Sequence, residues 1–376
     1  MKISRITCFE VMVPAKKGAV ESAGMNKPLH KLESGAKPAW TLQFDEVSKL
    51  ILKLELDSGV IGWGELYRAH NWVVVEEITA ILLGMDLRDI VLQKLPFSFC
   101  REYDGFECAI WDAFAKSHGV RVVDLLGGPV QEKIRVGAWS SHRRTEEIED
   151  LVKDFARQGY DCVKFKCDLD DDVVGWTREI HDKVPGMKII LDPNERWGTV
   201  AEVKWRLAAL AETGNVLCIE DPVSRWKLKD YHQIRRFSPI SIVLHVALPY
   251  IQHGQRIKDA IQAIQEDAVD GFNFNCGLAD FQLLSHIAEA TELPCWHGSE
   301  IDLGILEAMY IHSSAATSSC IWPGDIFGRL IREHDLLKTR LRIEPPYAYL
   351  PEGPGLGIEV DETAISHYLM QKKEYD

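Results

Sequence analysis

Residues 162–192 read CVKFKCDLDDDVVGWTREIHDKVPGMKIILD: an apolar strand ending near Lys166, an amphipathic segment, and a second apolar strand ending at Asp192. The same unit recurs along the chain. Polar residues follow Asp192 at intervals of 28, 25, 28 and 24 residues, namely Glu220, His245, Asn273 and His297. Each interval holds one strand, one helix and two loops. Apolar strands that alternate with helices in this way indicate a parallel sheet covered on both faces.

Eight such strands are predicted between residues 134 and 322. They are Ile134–Ser141, Cys162–Cys167, Lys188–Asp192, Val216–Glu220, Ser241–His245, Gly271–Asn275, Pro294–His297 and Ser319–Trp322. Eight parallel strands with intervening helices can close into a TIM-type barrel, whose strand-end side chains converge on one mouth. The predicted fold class is therefore α/β, with the site at the carboxyl ends of the strands.

The rest of the chain predicts a second domain. Residues 1–128 combine strand and helix patterns and are predicted to form an α+β domain before a barrel at 129–349. Within it, residues 14–41 are rich in Gly, Pro and Lys and lack periodicity, so we predict a mobile loop. We expect the tail, residues 350–376, to return to the N-terminal domain.

Composition excludes several classes of partner. The 376 residues carry a net charge of −14 without a basic cluster, so nucleic acid is not expected as a partner. The sequence contains no uncharged apolar run long enough to predict a membrane span. Its N-terminus has the pattern of a strand and not of a signal peptide. Nine cysteines without a CxxC pair favour a reducing compartment, so we expect a cytoplasmic protein.

Two strand-end carboxylates predict a metal site. Asp192-Pro-Asn194 and Glu220-Asp-Pro222 end successive strands, about one barrel position apart. Carboxylates placed in this way suit a hard divalent cation such as Mg²⁺. The alternative is that each acid only caps the helix that follows it.

Two lysines on one strand predict a base. Lys164 and Lys166 are two residues apart, so their side chains share a face. Neighbouring ammonium groups lower each other's pKa, and one of them can then accept a proton near neutral pH. The alternative is a pair that only neutralises nearby acids. Across the barrel, His297 can supply a second acid or base, and Glu300 can orient it or bind substrate; both residues also have ordinary structural interpretations.

The chain resembles the enolase superfamily, of the mandelate racemase and muconate lactonizing enzyme type. The resemblance covers nearly the whole chain and rests on Gly62-Trp-Gly-Glu65, Leu125-Leu-Gly-Gly128, Lys164-x-Lys166, Asp192-Pro-Asn194, Glu220-Asp-Pro222 and Pro354-Gly-Leu-Gly357. It implies a modified (β/α)₇β barrel, capped by an α+β domain built from the N-terminal region and the C-terminal tail. It also implies one Mg²⁺ held by Asp192 and Glu220, and removal of a proton α to the carboxylate of a small molecule to give an enediolate.

Further implications of the resemblance concern individual residues. Lys166 would be the base, and Lys164 would lie against the substrate carboxylate or the metal and lower the pKa of Lys166. The 14–41 loop would close over the site. The predicted substrate-binding residues are Asn194, Asn273, Asn275 and Glu300. Relatives of this kind assemble, which implies a homo-oligomer, either a dimer or an octamer.

The sequence departs from the family pattern on two strands. Strand five ends at His245 where the family has a carboxylate as third metal ligand, so the predicted metal set is Asp192, Glu220 and His245. Imidazole is a poorer ligand for Mg²⁺ than a carboxylate. Strand six carries Asn273 and Asn275 where the family has a lysine or an aspartate, and neither amide can act as a base.

One-base chemistry is therefore favoured. The leading prediction is dehydration of a hydroxy or sugar acid, with Lys166 as base and His297 as the acid that protonates the leaving hydroxide. A racemase, an epimerase or a cycloisomerase of the same superfamily is an alternative. A Schiff-base aldolase using Lys166 is another, and so is a non-catalytic binding relative that has lost part of the metal site.

Overall fold

The computed structural model of the protein describes residues 1–20, 48–246 and 256–376. Most of the predicted 14–41 loop lies outside the described residues, and its closure over the site stays a prediction. Within the described part, the chain forms an antiparallel sheet with helices, followed by a parallel sheet with helices.

The N-terminal region is built on three antiparallel strands. Its elements are β1 (Ile3–Val11), β2 (Lys49–Leu56), β3 (Ile61–Leu66), α1 (Trp72–Leu82), α2 (Tyr103–His118) and α3 (Val122–Leu125). Helix α2 packs directly on β3 because the strand carries glycines. A Cβ atom at Gly62 would lie 2.2 Å from the carbonyl oxygen of Ala109, and one at Gly64 would lie 2.2 Å from that of Gly105. The Gly-x-Gly pair of this strand therefore serves close packing.

Seven parallel strands follow, and they pair in chain order. After β4 (Lys133–Arg135) they are β5 (Ala138–Ser140), β6 (Cys162–Lys166), β7 (Lys188–Asp192), β8 (Val216–Glu220), β9 (Ser241–Val246), β10 (Gly271–Phe274) and β11 (Cys295–His297). The helices between them and after β11 are α4 (Thr145–Arg157), α5 (Val173–Lys183), α6 (Val200–Ala211), α7 (Leu228–Phe237), α8 (Arg256–Gln265), α9 (Leu278–Ala290) and α10 (Gly304–Ala315). The helices cover the sheet with apolar stripes; α4, for example, buries Ile148, Val152 and Phe155. This is the predicted α/β barrel-like architecture.

The ends of the barrel differ from the prediction. The predicted first strand is split, because β4 pairs outside the parallel sheet while β5 begins it. The predicted eighth strand, Ser319–Trp322, is an irregular segment instead. It still closes the ring, because Cys295 donates its N–H to the Ser319 carbonyl at 2.9 Å and Gly324 donates to the Arg135 carbonyl at 2.9 Å. Pro323 has no N–H to offer, which limits regular pairing here.

The chain ends in the sheet in which it begins. After α11 (Gly328–Ile331), β12 (Ile343–Glu344), β13 (Tyr347–Tyr349) and α12 (Glu362–His367), strand β14 (Leu369–Tyr375) pairs antiparallel with β1. The N-terminal sheet therefore has the order β14-β1-β2-β3. This pairing is what a returning tail requires, while the exact domain boundaries stay predictions.

A buried ionic contact joins the N-terminal sheet to the barrel. Glu65 of β3 accepts hydrogen bonds from the N–H groups of Leu303 (2.8 Å) and Leu306 (3.1 Å) at the start of α10. Lys49 of β2 lies between Glu65, at 3.1 Å, and Asp302, at 2.5 Å. These contacts hold the N-terminal region over the loop that follows β11, at the carboxyl end of the barrel.

Candidate active site

The two lysines of β6 point into the barrel, as their spacing predicts. Lys164 is in register with Trp139 of β5 and Ile190 of β7, and Lys166 is in register with Asp192. Both lysines are buried. The strand thus brings two ammonium groups to the carboxyl end of the barrel interior, where solvent does not screen them.

Three carboxylates surround Lys164. Its Nζ lies 2.7 Å from Oε2 of Glu220, 2.8 Å from Oδ2 of Asp325 and 3.4 Å from Oδ2 of Asp192. Lys166 donates a hydrogen bond to the same Asp192 oxygen. The structure therefore brings together four residues predicted from the sequence and adds Asp325, which the sequence prediction missed.

The charge environment of Lys164 differs from the prediction. Burial alone would lower its pKa, but the carboxylates of Asp325, Glu220 and Asp192 outweigh burial and raise the pKa well above its usual value. The expectation that the two lysines lower each other's pKa is therefore wrong for Lys164, because carboxylates outnumber ammonium groups around it. Lys164 is a permanent cation at neutral pH.

The pKa values of the carboxylates in this cluster shift in opposite directions. Burial would raise the pKa of Glu220, but Lys164 and His245 hold it well below its usual value. Burial raises the pKa of Asp325 to about 6, against the opposing effect of Lys164. At neutral pH both groups are ionised and paired with Lys164.

The turns after β7 and β8 place these carboxylates. Asn194 and Asp221 have left-handed backbones, with φ of +46° and +47°. Asn and Asp tolerate this conformation better than most residues, and such strain often accompanies functional sites. The N–H of Asn194 donates to Oδ1 of Asp192 at 3.1 Å, which fixes the carboxylate.

His245 lies beside Glu220, with Nδ1 3.1 Å from Oε1. Burial lowers the pKa of His245, so its imidazole is neutral at pH 7. Ligand atoms of Glu220, Asp221 and His245 lie within 4.8 Å of one another, the one such group among the residues described. Asp221, however, is already engaged, by Arg225 at 2.6 Å and by the Tyr231 hydroxyl at 3.0 Å.

The donors around Glu220 do not fit a Mg²⁺ site. Mg²⁺ requires oxygen ligands in near-octahedral geometry. Here the predicted third ligand is an imidazole, Asp221 is held by an arginine and a tyrosine, and Asp192 lies outside the group that Glu220 and His245 form. The ammonium groups of Lys164 and Lys166 contact the two carboxylates that the prediction assigned to the metal. We therefore assign no reaction step to a metal ion.

The side chain of His297 points away from the barrel interior, whereas the prediction places it inside. Its ring is stacked between Phe281 of α9 (centroids 4.5 Å apart) and Tyr310 of α10 (3.9 Å), which places it among the outer helices. Burial lowers its pKa to about 3. Trp296 instead faces the barrel interior, where Lys164 Nζ lies 5.6 Å from its ring centroid. Side chains alternate along a strand, so the predicted acid–base role of His297 lacks structural support.

The predicted asparagines do lie at the site. Asn273 is in register with His245 and Trp296, and its amide donates to Oε1 of Glu220 at 2.9 Å. Asn194 and Asn275 are buried, and their side-chain amides have no hydrogen-bond partner among the described residues. A buried amide without a hydrogen-bond partner lowers the stability of a protein core. Such groups are typical of a site that binds a ligand.

Glu300 connects the site to the N-terminal region. One of its oxygens lies 3.3 Å from Nε of Arg68 and 3.1 Å from a terminal nitrogen of Arg101. Its other oxygen, Oε1, is buried and has no hydrogen-bond partner within residues 1–20, 48–246 and 256–376. Glu300 therefore holds two arginines of the N-terminal region near the loop after β11, and only Oε1 is open to a ligand.

The fold and the buried lysine–carboxylate cluster define an α/β-barrel protein with a polar site at the carboxyl ends of its strands. Residues 147–364 match the family described as Enolase C-terminal domain-like. The chain belongs to the enolase superfamily, of the mandelate racemase and muconate lactonizing enzyme type.

Curated relatives match nearly the full length of the chain. Muconate cycloisomerase 1 of Rhodococcus opacus is 25% identical over 375 residues, covering 92% of this chain and 96% of its own. D-galactarolactone cycloisomerase of Agrobacterium fabrum is 26% identical over 377 residues, covering 91% and 96%. The crystal structure of N-succinyl Arg/Lys racemase from Bacillus cereus is similar with a TM-score of 0.83 at 21% identity, covering 100% of both chains, which concerns the fold alone. Within the described residues, no helix has both the length and the apolar character that a membrane span requires.

Proposed function

We propose that this protein is an isomerase that removes a proton α to the carboxylate of a small organic acid, with Lys166 as the base. The observation that carries the proposal is the position of Lys166. Its side chain lies on the interior face of β6, next to Asp192 and two residues beyond Lys164, which is charged at neutral pH. A base and a fixed cation at one buried site are the two elements that α-proton removal requires.

The cation is needed because the product of proton removal is an enediolate. A proton α to a carboxylate is weakly acidic, since its loss places a second negative charge on the carboxylate oxygens. The Lys164 ammonium is preorganised by Glu220 and Asp325 and offsets this charge without moving. In the proposed reaction Lys166 takes the proton, and the unpartnered amides of Asn194 and Asn275 bind the substrate.

The barrel interior opposite β6 favours one-base chemistry. A racemase needs a second base on the other side of the α-carbon. The interior positions of β10 and β11 in the structure are Asn273 and Trp296, and neither side chain accepts a proton at neutral pH. This arrangement supports a reaction in which the α-proton is removed and an oxygen leaves the neighbouring β-carbon.

The nature of the leaving oxygen favours a cycloisomerase over the predicted dehydratase. In both reactions the α-C–H bond breaks, a Cα=Cβ double bond forms and the β-C–O bond breaks. A hydroxyl group leaves as water only after receiving a proton, and His297 is not placed to supply it. A lactone oxygen leaves as a stable carboxylate, so ring opening needs no acid. The printed names of two relatives, both cycloisomerases, support this choice.

The proposal is tested by incubating the protein in D₂O with small hydroxycarboxylates and lactone carboxylates and following the α-proton by NMR. We expect exchange or ring opening with at least one lactone carboxylate. Lys166→Met should abolish it, while Lys188→Met, the same change at the exposed start of β7, should leave it intact. Unchanged exchange in Lys166→Met would refute the assignment of the base. Binding of these acids without exchange would instead favour the non-catalytic alternative, and borohydride trapping of a carbonyl compound on Lys166 the Schiff-base one.

A further inference from the structure

We propose that the Lys164 ammonium takes the place of a divalent metal ion in this site, so that the protein works without one. The inference concerns the cation, and only its consequence for catalysis rests on the proposed function. It rests on the contacts that the carboxylates of the site already make with groups of the chain.

The carboxylates come from three separate elements and meet at one nitrogen. Asp192 ends β7, Glu220 ends β8, and Asp325 belongs to the segment that closes the barrel. Their oxygens lie 3.4, 2.7 and 2.8 Å from Nζ of Lys164. Three carboxylates thus face a single ammonium, and Lys164 donates a hydrogen bond to Oδ2 of Asp325.

Donors that the chain itself supplies also occupy one oxygen of Glu220 and both oxygens of Asp192. Oε1 of Glu220 accepts from the Asn273 amide at 2.9 Å and faces His245. Oδ1 of Asp192 accepts the N–H of Asn194, and its Oδ2 accepts from Lys166. A metal ion held by both Asp192 and Glu220 would therefore have to displace donors that the chain itself supplies, at a site where Lys164 is buried.

His245 lies 3.1 Å from Glu220, at the position where a third carboxylate would be needed, and an imidazole carries no negative charge that would attract a dication. Trp296 also lies against the cluster, with its ring centroid 5.6 Å from Lys164 Nζ. The site is thus built around a monovalent cation that is part of the chain.

The test is a titration with Mn²⁺, followed by electron paramagnetic resonance of the free ion, and with Mg²⁺, followed by calorimetry. Wild-type protein treated with EDTA should bind neither ion at millimolar concentration, and EDTA should not lower its melting temperature. Lys164→Met removes the ammonium group that neutralises part of the charge of the buried carboxylates. We expect it to bind Mn²⁺ at concentrations at least about tenfold lower than the highest at which wild type shows no binding, because uncompensated buried charge is costly. Lys188→Met serves as the matched control and should behave as wild type.

Stoichiometric binding of Mn²⁺ or Mg²⁺ by the wild-type protein would overturn the inference, and this measurement does not depend on whether Lys164→Met folds. A folded Lys164→Met that binds no more tightly than wild type would also count against it. These outcomes are distinct from failure of the proposed function. Absence of α-proton exchange would remove the proposed reaction and leave the titration unchanged, whereas tight metal binding would leave Lys166 as the base.

Discussion

Oδ2 of Asp325 lies 2.8 Å from Nζ of Lys164, so the irregular segment that closes the barrel contacts the lysine in the middle of β6. This contact joins the eighth position of the barrel to the second. It also supplies a third carboxylate to the cluster, from an element other than β9, which carries His245. The cluster is therefore complete without an acid on β9.

Replacing Asp325 tests how much this contact stabilises the fold. Asp325→Asn keeps the shape of the side chain and removes a charge that faces buried Lys164. Breaking a buried ion pair costs about 3–5 kcal/mol, and Lys164 keeps two other carboxylates, so we expect the free energy of unfolding to fall by about 3 kcal/mol. Urea unfolding measures it. Asp182→Asn, on the exposed side of α5, is the control and should change little. Equal stability of the two variants would show that the contact contributes nothing.

The close packing of β3 on α2 gives a second prediction. Gly64→Ala places a Cβ 2.2 Å from the carbonyl oxygen of Gly105, so the strand has to move away from the helix. We expect a loss of about 3 kcal/mol in stability, at the upper end for overpacking. Gly137→Ala is the matched control, since its nearest neighbour would be Pro323 Cβ at 3.4 Å. Thermal unfolding of the two variants should differ clearly; a Gly64→Ala protein as stable as the control would contradict the packing.

The position of His297 predicts how stability depends on pH. Its pKa is lowered from 6.5 to about 3 in the folded protein, chiefly by burial. Between these values the unfolded chain binds a proton that the native protein does not. The free energy of unfolding therefore falls as the pH falls, by about 1.4 kcal/mol per pH unit from this group.

His297→Phe keeps an aromatic ring between Phe281 and Tyr310 and removes the titration. Its unfolding free energy, measured from pH 6.5 to pH 4, should depend less steeply on pH than that of wild type. His312, whose pKa is lowered to about 4, maintains part of the slope in both proteins. The control is His367→Gln, on the exposed side of α12. Identical slopes in wild type and His297→Phe would place His297 in contact with solvent, against the structure.

The sequence predicts this site well where a strand is long and apolar. The runs that lead to Lys166, Asp192 and Glu220 are each five residues of β6, β7 and β8 and each ends in a charged residue, so the end of each strand is readable from the sequence. Strand β11 has three residues, which is too short to show which side is inward. The sequence therefore predicts His297 on the inward side of β11, where the structure places its neighbour Trp296.

Asp325 shows a different limit. It lies 28 residues after His297, which continues the spacing of the strand-end residues and was the available signal. The predicted strand stops at Trp322, and Pro323-Gly324 reads as a turn, so the residue falls outside the pattern. Only the hydrogen bonds that this segment makes to β11 and to Arg135 carry it into the barrel. The partners of His245 and Glu300 likewise depend on contacts between distant segments, which spacing along one chain does not reveal.

The most direct test of Lys166 as the single base is the stereochemistry of deuterium incorporation at the α-carbon of a turned-over carboxylate in D₂O. Lys166 approaches the α-carbon from the β6 side alone, so the wild-type protein should place deuterium in one of the two α-positions, and Lys166→Met should place it in neither. NMR distinguishes the two positions. Deuterium in both positions, or incorporation that persists in Lys166→Met, would contradict the account.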